Sequence, residues 1–326
     1  MATAEQLKAL LRSHTEQDSE RFFSVVLQVA AHEAKQGHGT LAHELRGLVD
    51  KARRQSEFRI VAPPSRDLAG LVVTTTPDER LGELVVAGSF RDRLVRVLVE
   101  FRQKAKLRQH GLSHRRKILL VGPPGTGKTM TAAVLAGELQ LPLCTILVDK
   151  LVTKFMGETS AKLRQIFDIV QTDCGVYLFD EFDAIGTERS RDNDVGEMRR
   201  VLNSFLQFIE QDQSDSLIVA ATNNPQMLDH ALFRRFDDVL QYDLPGPEEA
   251  MRLVANRLGP FRSNRMSLAN VSKHAHGLSH GDISRACDDA VKEAILDNRK
   301  VVSATLLLRM LNERHSAYAV RRETGR

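Results

Sequence analysis

The sequence predicts an α/β fold in which a parallel sheet is followed by an all-helical domain, and two observations predict it. The first is a series of short apolar runs, KILLVG, CTILVD, GVYLFD and SLIVAATN, that alternate with helical stretches. These runs lack the period-two alternation of half-exposed strands, as strands buried on both faces do. The second is that only helical patterns follow the breakers PGPEE. We therefore expect a buried parallel sheet and then a separate helical domain.

Composition limits the classes of protein that the chain can belong to. Its 326 residues are typical of about two domains. The 46 basic and 42 acidic residues leave a net charge of only +4, which disfavours a nucleic-acid partner. The three cysteines are widely spaced and odd in number, which fits a reducing compartment. No apolar run approaches the roughly 18 residues of a membrane span, so we expect a cytoplasmic protein without a membrane partner.

The regions on either side of the sheet differ from it in pattern. Upstream, stretches such as EQDSERFFSVVLQVAAHEAKQG predict helices. Residues 58–79 carry three of the ten prolines and a threonine run, which predicts a linker with one strand. The expected organisation is a small N-terminal helical module at residues 1–55, a linker at 56–80, the sheet domain at 81–244, the helical domain at 245–318 and a basic tail at 319–326.

The segment GPPGTGKT, residues 122–129, predicts a phosphate-binding loop. The strand candidate RKILLV precedes it and the helix candidate TMTAAVLAGEL follows, so glycine N–H groups and a helix N-terminus would surround a phosphate. Lys128 would hold the β- and γ-phosphates, and Thr129 would offer its hydroxyl to Mg²⁺. The alternative is an ordinary Gly-Pro turn with a surface lysine. The residues expected to bind the nucleotide here are Gly122, Pro123, Pro124, Gly125, Thr126, Gly127, Lys128, Thr129 and Met130.

Two further buried runs end in polar residues. GVYLFDEFD delivers Asp180 and Glu181 to the carboxyl end of a strand, where ligands of parallel sheets bind. Asp180 would hold Mg²⁺, and Glu181 would polarise the attacking water. SLIVAATNNP ends in Thr222 and Asn223, and the Asn223 amide could hold the same water or the γ-phosphate. The alternative for this second run is a simple turn at Asn223, Asn224 and Pro225.

A pair of arginines follows in LDHALFRRFD. Arg234 and Arg235 lie between Phe233 and Phe236, so the two aromatic side chains would anchor a turn that carries the arginines. Guanidinium groups stabilise the charge of a transferring phosphoryl group. The alternative is a surface pair that forms an ordinary ion pair.

Taken together, these segments resemble the AAA ATPases, ring-forming members of the AAA-plus class. The residues that carry the resemblance are GPPGTGKT, KFMGET, YLFDEFDAIG, AATNNPQMLDHALFRRFD and GLSHGDISRACDDA. The resemblance implies a P-loop ATPase domain with a helical lid, bound ATP and Mg²⁺, and a ring of self-associated subunits, with six as the expected number. It also implies that Arg234 and Arg235 reach a nucleotide held by the next subunit and that Asn223 is a polar sensor.

The sequence departs from the family pattern in three places. The common RPGRFD is FRRFD here, which leaves open whether Arg234 or Arg235 leads. The lid pattern GxSGAD is GLSHGD, so that His280 and Gly281 occupy positions whose backbone lies near the adenine in the family. The usual opening glycines are replaced by LGELVV, with Leu84, Val85 and Val86 as the expected substitutes, and we expect Val85 and Gly281 to contact the base.

KFMGET raises a separate question, because large apolar side chains on a polar loop need a reason. The resemblance implies a loop in the central pore of the ring, where Lys154, Phe155, Met156 and Gly157 would grip a passing polypeptide. The alternative is that Phe155 packs in the core. We expect Thr159 or Ser160 to cap the helix that follows.

The leading hypothesis is therefore an ATP-driven motor that remodels, unfolds or threads a protein substrate. The alternatives are a nucleic-acid motor or loader, disfavoured by the charge balance, and a nucleotide-dependent scaffold, disfavoured by the intact Glu181. The N-terminal helices joined to this ATPase domain resemble bacterial members associated with a subtilisin-like protease. That resemblance implies a partner protease, with residues 1–55 as the adaptor.

Overall fold

The computed structural model describes residues 19–36, 38, 41–47, 49, 70–151, 156–182, 194–228 and 230–323. The chain separates into two compact units, one within residues 1–62 and the other within 63–326. The first unit contains helix α1 (Ser19–Lys35) and a helical stretch over residues 41–47. Val25, Val29 and Ala30 of α1 are buried, as their spacing on one helix face predicts. The candidate site described below lies within the second unit.

The second unit is built on a six-stranded sheet with the order β1-β3-β4-β5-β2-β6. All neighbouring strands are parallel except the edge strand β1, which runs antiparallel to β3. The predicted α/β fold with a largely parallel sheet is therefore confirmed, with one antiparallel addition. The strands are β1 (Val72–Thr75), β2 (Lys117–Val121), β3 (Leu143–Ile146), β4 (Val176–Phe179), β5 (Leu217–Thr222) and β6 (Asp238–Gln241).

Strand β1 lies within the segment for which the sequence predicts a linker with one strand. Val72 pairs with Ile146 and Thr75 with Leu143, so this part of the segment belongs to the sheet. Three of its four side chains are exposed, which is why the apolar pattern there is weak. An edge strand with one partner needs little apolar character to be held in place.

Helices connect the strands and cover the sheet. They are α2 (Gly88–Arg102), α3 (Lys104–Gln109), α4 (Lys128–Leu139), α5 (Val148–Leu151), α6 (Met156–Thr172), α7 (Asp194–Gln211) and α8 (His230–Phe233). Every residue of β4 and β5 is buried, as the uninterrupted apolar runs predict. A cluster of aromatic rings, with Phe205 against Phe179 at 5.0 Å and against Phe182 at 4.5 Å, holds α7 on the end of β4. This cluster surrounds the strand end from which the predicted carboxylates project.

The C-terminal helices form a lid with its own core. They are α9 (Pro247–Leu258), α10 (Leu268–Ala275), α11 (His280–Leu296) and α12 (Ala304–Glu323). Their buried side chains form one apolar cluster, and Val85, from the segment before α2, belongs to it. Val85 thus joins the start of the sheet domain to the lid.

The predicted pore segment is described only in part. Helix α6 begins at Met156, so Met156 and Gly157 belong to its first turn, whereas Lys154 and Phe155 lie outside the described residues. The prediction that Thr159 or Ser160 caps this helix is wrong, because both lie inside it and Thr159 is 1% exposed. Glu158 in the first turn gives a physical reason for the earlier start, since a negative charge stabilises a helix N-terminus.

Candidate active site

The phosphate-loop sequence connects β2 directly to α4, as predicted. Gly122, at φ 148°, and Gly125, at φ 73°, have backbone angles that side chains disfavour, which explains glycine at both places. Gly127 is the N-cap of α4, and Lys128 is the first residue of that helix. The loop therefore presents backbone N–H groups and a helix N-terminus at one point, which is the arrangement that binds phosphate.

Lys128 points back over this loop. Its Nζ donates hydrogen bonds to the carbonyl oxygens of Gly122 at 2.7 Å and Pro123 at 2.8 Å, and the residue is 7% exposed. These bonds hold the ammonium group against the loop backbone. A cation held there can neutralise the charge of a bound phosphate chain.

Two oxygen ligands meet across the site. The Thr129 hydroxyl, in the first turn of α4, donates to Oδ2 of Asp180 at 2.7 Å. Hydroxyl and carboxylate oxygens are the hard ligands that Mg²⁺ prefers, and Mg²⁺ commonly uses few protein ligands beside phosphate and water. The donor set therefore fits the predicted metal, which would be held by Thr129 and Asp180.

Glu181 occupies a turn that is unusual for its residue type. Its φ of 52° lies in the left-handed region, and its N–H donates to Oδ1 of Asp180 at 2.9 Å. The next residue, Phe182, is fully buried and donates its N–H to the carbonyl of Ala221 at 2.8 Å. Because both neighbours are held, the chain must turn at Glu181. The turn leaves this carboxylate exposed at the cavity described next.

A cavity of about 780 Å³ lies between the phosphate loop and the lid. It brings together most of the residues predicted from the sequence. Those that line it are Val85, Pro124, Gly125, Thr126, Gly127, Lys128, Thr129, Met130, Asp180, Glu181, Asn223 and Gly281. Gly122 and Pro123 are not among the lining residues and instead supply the carbonyl groups that hold Lys128.

The lid supplies lining residues that sequence reasoning missed. They are Leu253, Asn256 and Arg257 of α9 and Ser284 of α11. Arg257 forms a two-pronged ion pair with Asp288 of α11, at 2.9 and 3.0 Å. The sequence shows these residues as parts of amphipathic helices, and no local signal indicates which of them faces a nucleotide.

The lid also contacts the phosphate loop directly. The N–H of Gly281 donates to the carbonyl of Gly125 at 2.8 Å. Ser279 caps α11 by accepting from the N–H of Asp282, whose carboxylate in turn accepts from Ser279. His280 lies between Ser279 and Gly281 in the chain. Its ring is largely buried, and this burial lowers the pKa of His280. The neutral imidazole is therefore the favoured form at the junction of lid and loop.

The two predicted arginines lie outside this cavity. Arg234 is exposed, whereas Arg235 forms an ion pair with Glu210 of α7. Phe236 is buried and Phe233 half-buried, which agrees with the predicted anchoring of the turn. Neither arginine is among the described residues that line the cavity.

Comparison with known proteins identifies the family. The profile described as "ATPase family associated with various cellular activities (AAA)" matches residues 118–244. A protein of Sinorhizobium fredii named "Uncharacterized AAA family ATPase y4kL" is 35% identical over 309 residues, which cover 93% of this chain and 92% of that protein. The chain belongs to the AAA ATPase family. The predicted resemblance to the AAA ATPases is confirmed, and this AAA ATPase is a nucleotide-binding ATP hydrolase.

Other relatives match a smaller part of their own length. The "ATP-dependent zinc metalloprotease FtsH" of Marinobacter nauticus is 33% identical over 237 residues, 69% of this chain and 36% of that protein. An "Uncharacterized AAA domain-containing protein ycf46" of Trieres chinensis is 29% identical over 71% of this chain and 47% of that protein. The chain therefore spans less than half of these two relatives. In the ranges that the structure describes, no helix of this AAA ATPase is long and apolar enough to cross a membrane.

Proposed function

We propose that this AAA ATPase assembles into a ring and couples ATP hydrolysis to the remodelling, unfolding or threading of a protein substrate. The observation that supports assembly into a ring is the position of Arg234. It is exposed on a turn outside the nucleotide cavity of its own chain, where a neighbouring subunit can use it.

The chemistry follows from the groups around the cavity. Lys128 and the backbone N–H groups of the phosphate loop bind the phosphates. Thr129 and Asp180 would hold Mg²⁺, which would neutralise charge on the phosphate oxygens. Glu181 accepts a proton from the attacking water, and Asn223 orients that water or the γ-phosphate by hydrogen bonding.

Charge develops on the phosphoryl oxygens during transfer, and an arginine placed beside them stabilises it. Within the described lining of the cavity, the cationic side chains are Lys128 and Arg257, and Arg257 is paired with Asp288. Arg234 from the next subunit would complete the site, because Arg235 is already paired with Glu210. We therefore take Arg234 as the leading arginine and a hexamer as the expected ring.

The protein substrate is inferred from the segment KFMGET and from the nature of the relatives. Several relatives are named ATP-dependent proteases, although the match to each covers only part of its length. Phe155 and Met156 would grip a polypeptide by apolar contact, which is not directional and needs no particular sequence. A partner protease, with residues 1–55 as the adaptor, remains part of this proposal.

One experiment tests the substrate class. The Glu181→Gln protein is incubated with ATP and lysate, and the captured material is identified as protein or nucleic acid. In parallel, Phe155→Ala is compared with Phe155→Tyr for ATP turnover, melting temperature and unfolding of a fluorescent protein. We expect Phe155→Ala to keep turnover and stability but to lose unfolding, whereas Phe155→Tyr keeps all three.

Phe205→Ala is the matched control for a core phenylalanine, because Phe205 is fully buried. It should lose about 3–5 kcal/mol of stability. A similar loss in Phe155→Ala would place Phe155 in the core and remove the pore role. Captured nucleic acid in place of protein would replace the proposal with a nucleic-acid motor.

A further inference from the structure

A buried pair of hydroxyl groups joins the phosphate-loop helix to the end of the last sheet strand. Tyr242 follows β6, and its hydroxyl is hydrogen-bonded to Oγ1 of Thr131 in α4. Tyr242 is 3% exposed and Thr131 is fully buried. The tyrosine ring also packs on Phe90 of α2, with 4.4 Å between the ring centres. The pair is therefore shielded from solvent and lies outside the lining of the nucleotide cavity.

The direction of these hydrogen bonds follows from the number of donors. Oγ1 of Thr131 lies 3.1 Å from the carbonyl oxygen of Gly127, to which it donates. A hydroxyl has one proton to donate, and the shorter contact favours Thr131 as the donor to Gly127 and Tyr242 as the donor to Thr131. The phenolic oxygen also lies 3.5 Å from the same Gly127 carbonyl. The two hydroxyls thus form a chain that ends on the residue before Lys128.

The backbone of Tyr242 supports the other end of the loop. Its N–H donates to the carbonyl of Val121 at 2.6 Å. A Cβ atom on Gly122 would collide with the carbonyl oxygen and the Cβ of Tyr242. Gly122 is therefore needed not only for phosphate approach but also because Tyr242 packs against it. One residue touches both the first and the last glycine of the phosphate loop.

Tyr242 also precedes the connection to the lid. Residues 243–246 lead directly into α9, the helix that contributes Leu253, Asn256 and Arg257 to the cavity. Tyr242 therefore lies in the chain between the last sheet strand and the first lid helix. We propose that Tyr242 is a positioning residue that, by donating to Thr131, holds the phosphate loop in the geometry required for ATP binding and hydrolysis.

A hydroxyl pair suits this task better than an apolar pair would. Apolar side chains can slide past one another, whereas a hydrogen bond in a dry interior is sensitive to distance and direction. Burial raises the pKa of Tyr242, so the hydroxyl keeps its proton at neutral pH and can donate. The inference rests on the ATP hydrolase activity of the family and does not depend on which substrate the ring acts on.

The experiment compares Tyr242→Phe, Thr131→Val and the double variant with the unmodified protein. The kcat and KM for ATP, the Kd of a fluorescent ADP analogue and the melting temperature are measured. Each single variant should lower kcat/KM by about 3- to 10-fold, as expected for the loss of one buried hydrogen bond. Thr131→Ser keeps the hydroxyl and should retain activity close to that of the unmodified protein.

The double variant separates positioning from stability. Replacing both partners with apolar groups leaves no unsatisfied hydroxyl, so the melting temperature should recover relative to the worse single variant. A positioning role predicts that kcat/KM stays low in the double variant. Recovery of kcat/KM in step with the melting temperature would overturn the proposal, since the pair would then be structural only.

Tyr177→Phe is the matched control. Tyr177 is 1% exposed and donates its hydroxyl to the carbonyl of Asp173 at 2.8 Å, away from the nucleotide cavity. It should lose stability without a change in the Kd of the ADP analogue. A rise in the Kd of the ADP analogue for Tyr177→Phe equal to the rise for Tyr242→Phe would overturn the proposal. So would an unchanged kcat/KM in Tyr242→Phe, or a decrease in its kcat/KM that Thr131→Val does not reproduce.

Discussion

The backbone N–H of Gly281 donates to the carbonyl of Gly125, and this 2.8 Å hydrogen bond ties the first turn of lid helix α11 to the phosphate loop. The first N–H groups of a helix have no partner within the helix, so the loop satisfies one of them. Ser279, which caps the same helix, lies so near that a Cβ on Gly125 would be 2.6 Å from its Oγ. The nucleotide site is therefore part of the joint between sheet domain and lid.

Gly125→Ala tests this joint. The added methyl group would collide with Ser279, and the left-handed backbone adds strain of about 1–3 kcal/mol. We expect ATP turnover to fall at least about tenfold, because helix α11 of the lid can no longer pack as closely against the phosphate loop. Gly111→Ala is the control. Gly111 has a similar φ of 72°, but no atom lies within 4 Å of the position that its Cβ would take. Equal losses of turnover in both variants would contradict the role of the contact.

Glu181→Gln tests the catalytic base. The amide cannot accept a proton, so kcat should fall by about 10²- to 10⁴-fold while nucleotide affinity stays near its original value. Turnover is measured by phosphate release and affinity with a fluorescent nucleotide. An unchanged kcat would reject the assignment.

The left-handed backbone of Glu181 leads to a separate stability prediction. Glu181→Gly should relieve strain and raise the free energy of unfolding by up to about 1 kcal/mol, while turnover is lost. Gln140→Gly is the matched control, because Gln140 has φ 56° at the end of α4 and does not line the cavity. It should gain similar stability and remain active. Denaturant unfolding measures both variants, and a clearly lower stability of Glu181→Gly than of Gln140→Gly would contradict strain at Glu181.

Thr129→Val tests the metal site. Loss of the hydroxyl removes one oxygen ligand, so the Mg²⁺ concentration that gives half-maximal ATP turnover should rise about tenfold or more. Thr129→Ser keeps the hydroxyl and should restore the original dependence. If the Mg²⁺ titration curves of the valine variant and the unmodified protein coincide, Thr129 does not hold the metal.

The arginine turn can be dissected with three single variants. Arg234→Ala should lower kcat about 10³-fold or more without a change in melting temperature, as loss of a phosphoryl-stabilising arginine does. Arg235→Ala and Glu210→Gln should have the same small effect on kcat and melting temperature, because both changes break the same ion pair. Mixing Arg234→Ala with Lys128→Ala should restore some turnover, since mixed interfaces then combine an intact loop with an intact arginine. Absence of any restoration in assembled mixtures would contradict action between subunits.

His280 predicts a dependence of stability on pH. Burial holds its pKa below the usual value, and the carboxylate of Glu249 acts in the opposite direction with a smaller effect. Below about pH 6.5 the unfolded chain takes up a proton that the folded chain resists, so stability is lost as pH falls. Thermal unfolding between about pH 7.5 and 5.5 should show a smaller decrease for His280→Ala than for the unmodified protein. Equal decreases would mean that His280 is not the titrating group.

The place of the phosphate loop between β2 and α4 could be predicted from a local motif. Its glycines adopt backbone angles that side chains disfavour, so they recur at fixed short spacing. Asp180 and Glu181 could be predicted because a buried strand must end where its apolar run ends. The start of α6 was missed, because a helix stabilised by Glu158 began before the glycine that resembled a loop residue.

The sequence by itself determined the alternation of strands and helices, the phosphate loop and the carboxylates, since each depends on neighbours a few positions away. Only the tertiary structure decided that β1 closes the sheet edge, that Arg257 faces the nucleotide cavity and that Arg235 is held by Glu210. It also decided that Tyr242 reaches Thr131, a residue 111 positions earlier in the chain. Such contacts depend on how the parallel strands and the lid pack, and apolar periodicity specifies which face of an element is buried but not which distant residue it meets.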